Sequence, residues 1–199
     1  MSKGYLLESD VENLALDTLQ KVGYDVYKSP SPTSTNPEID KLRNNDHAVA
    51  ILTEQLQIAL KKINPGYSEK IYKEALRQLT RLADNPDLMV NNHYFHKLLI
   101  EGIRVKTTVN GENRTEVLYP IDFDHVENNQ FVATSPFTFK GNHERRPYTT
   151  IFINGLPVVT FEFKDASNPN INIESAYQQL QTYKAEISEY LKYNEILII

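Results

Sequence analysis

The stretch Arg146-Pro147-Tyr148-Thr149-Thr150-Ile151-Phe152-Ile153-Asn154-Gly155-Leu156-Pro157-Val158-Val159-Thr160-Phe161-Glu162-Phe163-Lys164 decides the fold. Two runs rich in β-branched and aromatic residues flank Asn154-Gly155, a dipeptide suited to a tight hairpin because both of its residues tolerate positive φ. Side chains alternate along an extended strand. Val158, Thr160, Glu162 and Lys164 are therefore expected on one face, with Val159, Phe161 and Phe163 on the other, which gives charge on one side and core on the other. A carboxylate and an ammonium at the end of an otherwise apolar strand suit phosphodiester chemistry. The carboxylate can hold Mg²⁺, and the lysine can orient water or stabilise developing negative charge. A bare Glu-x-Lys, however, is usually just the solvated face of a strand.

Outward from the hairpin, the period of the apolar residues changes along the chain. Ser9-Asp10-Val11-Glu12 has the form of a capping box. Val11, Leu14, Ala15, Leu19 and Val22 then recur at helical spacing until Gly23, and a short strand Tyr24 to Tyr27 follows. Ser29 to Asn36 is a Pro- and Ser-rich loop. Val49 to Ile63 predicts a second helix ended by Asn64-Pro65-Gly66, Ile71 to Leu82 a third ended near Asn85-Pro86, and Tyr94 to Leu99 a short fourth before Gly102. Beyond Gly102 the period becomes two. Ile103 to Thr107 turns at Asn110-Gly111 into a return strand from Glu116 to Phe123, and Gln130 to Phe139 is β-prone. A last helix with Ile173, Ala176, Leu180 and Ile187 is capped by Asn172 and precedes a buried strand, Glu195 to Ile199. The fold class is α/β: one domain over residues 1–199, helical over about 1–102 and sheet-rich over about 103–199. An apolar run is an unusual place for a chain to stop, so an excised domain or truncated product is expected.

Composition narrows the function classes. The 199 residues are 40% hydrophobic and 24% charged, and no apolar run approaches the roughly 20 residues a membrane helix needs. The N-terminus has no signal-peptide core, and the chain has no cysteine, hence no disulfide framework or thiolate metal site. A cytoplasmic location without membrane partners fits these features. With a net charge of −5, nucleic acid would have to be held by local clusters, of which Lys140, His143, Arg145 and Arg146 form the best. A solvated loop explains that cluster equally well. Among the five histidines, only His93 and His96 are closely spaced, which fits the edge of an apolar helix better than zinc.

Residues 146–164 resemble the nuclease motif of the restriction (HsdR-type) subunit of type I restriction enzymes, which reads Arg-Pro-Asp, then Val-Asn-Gly-Leu-Pro, then Glu-Leu-Lys. Glu8 to Tyr24 is similar to that family's first helix, Asn64-Pro65 and Asn91 to Gly102 to its helical insert, and Pro120-Ile121-Asp122-Phe123 to its following strand. The resemblance spans nearly the whole chain. It implies a PD-(D/E)XK fold, a central mixed sheet flanked by helices, in a Mg²⁺-dependent endonuclease domain that cuts double-stranded DNA. It further implies that Glu162 serves as metal ligand, that Lys164 acts on water and phosphate, and that Gln179 and Tyr183 (the family's Gln-x-x-x-Tyr) position the backbone from one helical face. By the same resemblance, methylation and specificity subunits are partners. ATP is used only by motor lobes outside this chain, which has no Gly-x-x-x-x-Gly-Lys-[Ser/Thr] loop.

One position departs from the pattern. Tyr148 stands where the family has the Asp of Arg-Pro-Asp, and a neutral phenol is a poor partner for Mg²⁺. A three-residue loop, Asn154-Gly155-Leu156, places Tyr148 directly opposite Glu162, whereas a two-residue loop puts it on the other face. Glu12 is a further candidate metal ligand, although it is also the capping-box partner of Ser9, and Glu8 competes with it. Asp165 points the wrong way, and Asp122 or Asp124 could replace the missing carboxylate only if their strand lies beside the site. Two functions remain: an endonuclease domain impaired by Tyr148, or a cleavage-inactive module that contacts DNA or docks a subunit.

Overall fold

A computed structural model describes residues 7–31, 34–82, 85–109, 111–164 and 173–199. The expected Asn110-Gly111 turn, Asn172 cap and Asp165 rest wholly or partly on residues outside that set. Along the chain run α1 (Glu8–Lys21), β1 (Asp25–Lys28), α2 (Pro37–Leu42), α3 (Thr53–Ile63), α4 (Glu69–Thr80), α5 (Leu88–Glu101), β2 (Ile103–Val109), β3 (Glu112–Leu118), β4 (Phe131–Ser135), β5 (Phe139–Lys140), β6 (Glu144–Arg145), β7 (Thr149–Ile153), β8 (Leu156–Phe161), α6 (Ile173–Glu186), α7 (Ser188–Leu191) and β9 (Ile196–Ile198). A five-stranded sheet has the order β1-β4-β7-β8-β9. Its outer pairs, β1 with β4 and β8 with β9, are parallel, and its central pairs are antiparallel. This mixed sheet with flanking helices is consistent with a restriction-endonuclease-like fold.

The central hairpin turns on two residues rather than three. Asn154 and Gly155 have φ of 53° and 82°, the pair of left-handed conformations that a tight primed turn demands. Ile153 faces Leu156 and Phe152 faces Pro157, but Ile151 faces Val159, so Val158 is an inserted residue. This β-bulge shifts the register by one. Thr149 then pairs with Phe161, and Tyr148 still comes to lie opposite Glu162, through a bulge instead of a longer loop. β8 stops at Phe161, although the Glu162 amide prolongs the pairing by donating to the Ile198 carbonyl at 2.9 Å.

Burial of the two faces is the reverse of the expectation. Thr160 and Glu162 are buried, while Val159, Phe161 and Phe163 are only partly covered. The reason is Tyr190 of α7, whose hydroxyl meets Thr150 Oγ1 at 2.7 Å and Thr160 Oγ1 at 2.6 Å. Hydroxyls at these two positions let a polar-looking face serve as core, because each buried group finds a partner.

Elsewhere β2 and β3 form a separate two-stranded sheet. The return strand ends at Leu118, so Pro120 to Phe123 is not a strand. α2 and α7 were not expected, and α5 is longer than expected. α2 starts on a genuine cap, with the Asn36 side chain accepting from the Glu38 and Ile39 amides. In α1, Leu16 is buried while Leu14 and Val22 are exposed, which rotates the helix away from the predicted stripe. β9 is an edge strand with Ile196 and Ile198 exposed, not a buried one.

The turn is fixed from outside as well. Asn154 donates to the Pro120 carbonyl at 2.9 Å and accepts from the Gln130 amide at 2.8 Å. The Gly155 carbonyl accepts from Leu52 N–H at 2.9 Å. A Cβ on Gly155 would stand 2.4 Å from the Leu52 carbonyl oxygen, and an L-residue there would also incur the left-handed penalty. Gly155→Ala is expected to lower stability by about 2–4 kcal/mol, read as an earlier denaturant midpoint with unchanged slope.

Candidate functional site

The site begins at the first turn of α1. The residue before the helix is Leu7, and its amide is taken by the Asp10 carboxylate at 3.0 Å. Ser9 is therefore not the cap, and Glu12 is released from the capping role that its spacing suggested. Its carboxylate instead meets Ser135 at the end of β4, whose hydroxyl lies between Glu12 and the Tyr148 carbonyl. One turn earlier, Glu8 accepts the Tyr148 hydroxyl proton in a hydrogen bond. Glu8 and Glu12 of α1 thus both face the open end of the β7–β8 hairpin.

On the other side stands Glu162, with 1% of its side chain exposed. Lys164 Nζ pairs with one carboxylate oxygen, and the Tyr183 hydroxyl donates to the other at 3.1 Å. Burial raises the Glu162 pKa above the ordinary carboxylate value, and Lys164 and Tyr183 oppose that rise. Tyr183 is buried on α6, with the Gln179 side chain bonded to it one turn before. Burial, then Glu162, holds the Tyr183 phenol protonated. Burial and the Glu8 hydrogen bond do the same for Tyr148. Tyr148 also packs edge-on against Phe163 at 6.0 Å, and Lys164 Nζ lies 5.9 Å from its ring.

Glu8, Glu12, Tyr148, Glu162, Lys164, Gln179 and Tyr183 line one cleft of about 810 Å³. Lys28, Ser29 and Ser135 join them, and sequence reasoning missed all three. Lys28 pairs with Ser135 across the parallel strands β1 and β4, whose carboxyl ends open into the cleft; carboxyl ends of parallel strands are the signal that could have found them. Ser29 Oγ is buried there without a hydrogen-bond partner.

Other candidates fall elsewhere. Asp122 is held by the His125 amide and Asn128 beside the Asn154 turn. That is the far end of a five-residue strand, roughly 17 Å of extended chain from Tyr148. It cannot replace the missing carboxylate, and neither can Asp124, whose amide donates to Asp122. The basic cluster is largely neutralised. Arg145 pairs with Glu186 and Arg146 with Glu144, so of the expected DNA contacts Arg146 lines the cleft in an ion pair and Lys140 sits exposed on β5. His96 binds Glu195 rather than His93.

The donor set does not fit a divalent metal in this arrangement. Among the described residues, no three histidine, aspartate or glutamate side chains are placed to hold one. Both oxygens of Glu162 are engaged, and the position facing it is a neutral phenol, whereas Mg²⁺ wants several carboxylate or water oxygens.

Residues 5–199 match the family described as "Type I restriction enzyme R protein N terminus". The type I restriction enzyme HindI endonuclease subunit of Haemophilus influenzae is 36% identical over 98% of this chain. A Methanocaldococcus jannaschii protein, provisionally named the MjaIXP endonuclease subunit of a type I restriction enzyme, is 31% identical over 95%. The chain spans 18% of the length of each. No helix among the described residues is long and apolar enough to cross a membrane.

The Glu162–Lys164 pair makes stability depend on pH. A buried carboxylate with a raised pKa costs stability once pH exceeds its unfolded value, near 4.5, and the cost grows up to the raised value. Lys164→Gln removes the ammonium that offsets this cost. The variant is expected to lose about 1–3 kcal/mol near neutral pH. The loss should vanish below the ordinary carboxylate range, where Glu162 is protonated in both states, as followed by urea unfolding across pH.

Proposed function

Because this chain belongs to the type I restriction enzyme R protein N-terminal family, we propose that it is the endonuclease domain of such a subunit, acting on phosphodiester bonds of double-stranded DNA. We take residues 1–199 as one such domain within a larger, cytoplasmic motor protein. Methylation and specificity subunits would be its partners, and ATP would be used by the motor lobes alone. The observation that carries the reading is the convergence of Glu162 and Lys164, just beyond β8, with Gln179 and Tyr183 of α6 in a single cleft, faced by Glu8 and Glu12. In that cleft the Lys164 ammonium is the group able to meet a phosphate oxygen or orient water. The Gln179 amide and Tyr183 hydroxyl hold Glu162 and the DNA backbone in place.

Tyr148 impairs this site in our reading. Its phenol occupies the place of a carboxylate and occupies Glu8 as well, so divalent metal binding would be weak. A second reading is supported by that same hydrogen bond and by the incomplete donor set: a cleavage-inactive module that contacts DNA or docks another subunit.

Tyr148→Asp separates the two. The substitution sets a carboxylate opposite Glu162. It is expected to bring Mn²⁺ binding, measured by titration calorimetry, at least roughly tenfold tighter than in the unmodified chain. Nicking of supercoiled plasmid should appear in parallel, and both gains should disappear when Glu162→Ala is added. If Tyr148→Asp yields neither metal binding nor nicking, the endonuclease reading of this cleft is wrong. Nicking by the unmodified chain at the same rate would remove Tyr148 as an impairment.

A further inference from the structure

α4 lies along the free edge of β2. Lys70, Lys73 and Arg77 follow one another on α4 at spacings of three and four, a single helical stripe. Opposite them Arg104 and Lys106 alternate with the buried Val105 on β2, so both point to the same exposed side. Ile71 and Val105 supply the apolar part of the lining, and the Gln78 side chain donates to the Arg104 carbonyl at 3.2 Å, tying helix to strand.

The resulting groove encloses about 790 Å³ and shares no lining residue with the catalytic cleft. It holds five cations against the single carboxylate Glu74, in a chain whose net charge is −5. Glu74 is already taken by Arg77 through two bonds of 2.7 Å. Nearby carboxylates look elsewhere, Glu69 to Lys61 and Glu112 to Arg114. Among the described residues, Lys70, Lys73, Arg104 and Lys106 therefore keep their charge uncompensated by an ion pair. Two parallel rows of like charge repel one another, so the arrangement gains when a polyanion runs between them.

We infer that this α4–β2 groove binds the sugar–phosphate backbone of double-stranded DNA, without reading sequence, as a second contact separate from the cleft. Cations in rows along a groove match a regularly charged backbone better than a single phosphate, and they displace condensed counterions in proportion to the phosphates neutralised. The choice of DNA over other polyanions rests on the proposed function of the domain.

The test is anisotropy titration of a short fluorescein-labelled duplex across a series of salt concentrations, with the unmodified chain, with Lys73→Glu plus Arg104→Glu, and with the milder Lys106→Gln. The double variant is expected to bind at least about tenfold more weakly at moderate salt, and its slope of log K against log salt should be shallower by about 2, near 0.9 for each phosphate no longer neutralised. Lys106→Gln should lower the slope by about 1 without changing thermal unfolding, so a folding defect in the double variant does not hide the answer. Unchanged affinity and slope in both variants overturn the groove and leave the DNA reading of the domain intact. No duplex binding by the unmodified chain overturns both, and tighter binding of poly-glutamate than of duplex overturns the assignment to nucleic acid.

Discussion

A single inserted residue on one strand governs the rest of the structure. Val158 has no partner on β7, and the register beyond it is displaced by one position. Because strand side chains have a period of two, that displacement decides which face Thr160 and Glu162 occupy. Without it the tight Asn154-Gly155 turn would send Glu162 to the opposite face from Tyr183 and Tyr190. With it, a two-residue turn and a carboxylate directed into the cleft become compatible. The turn is held from outside by Leu52, Pro120 and Gln130, so the compensation must occur within the strand.

How much of this was legible follows from the range of each signal. Period-two and helical spacings located the hairpin, α1, α3 and α4, since those patterns are local. The convergence of β8 and α6 came from the resemblance of residues 146–164 and of Gln179 and Tyr183 to a family motif, not from spacing. Three things were illegible because they depend on contacts across the chain. The bulge leaves no mark in the composition of Pro157-Val158-Val159. The capping box at Ser9 was outcompeted by Asp10 reaching back to Leu7, a choice between two equally good local patterns. Arg43 gave no hint of being buried, yet its guanidinium pairs with Asp40, donates to the Thr138 carbonyl at 2.7 Å and lies over Phe137 at 4.5 Å.

The site illustrates how a buried charge is kept. Glu162 loses its water, so it needs both the Lys164 ammonium and the Tyr183 hydroxyl to remain tolerable in the sheet. The groups proposed to act on substrate are the same ones that stabilise the protein by itself. Each interaction with a phosphate must compete with one already made, which favours ligands able to replace the whole set at once.

The hydrogen bond from Tyr148 to Glu8 has a thermodynamic meaning beyond catalysis. It joins α1 to the central hairpin through a neutral donor. Were position 148 a carboxylate, Glu8 and its neighbour would repel across the same gap, and the helix would be secured only when a cation entered between them. Folding and ion binding would then become linked equilibria, with the melting temperature rising with free cation concentration. In the present chain the Tyr148 hydroxyl spans that gap with its hydrogen bond to Glu8. The first helix is thereby tied to the hairpin by a bond within the polypeptide.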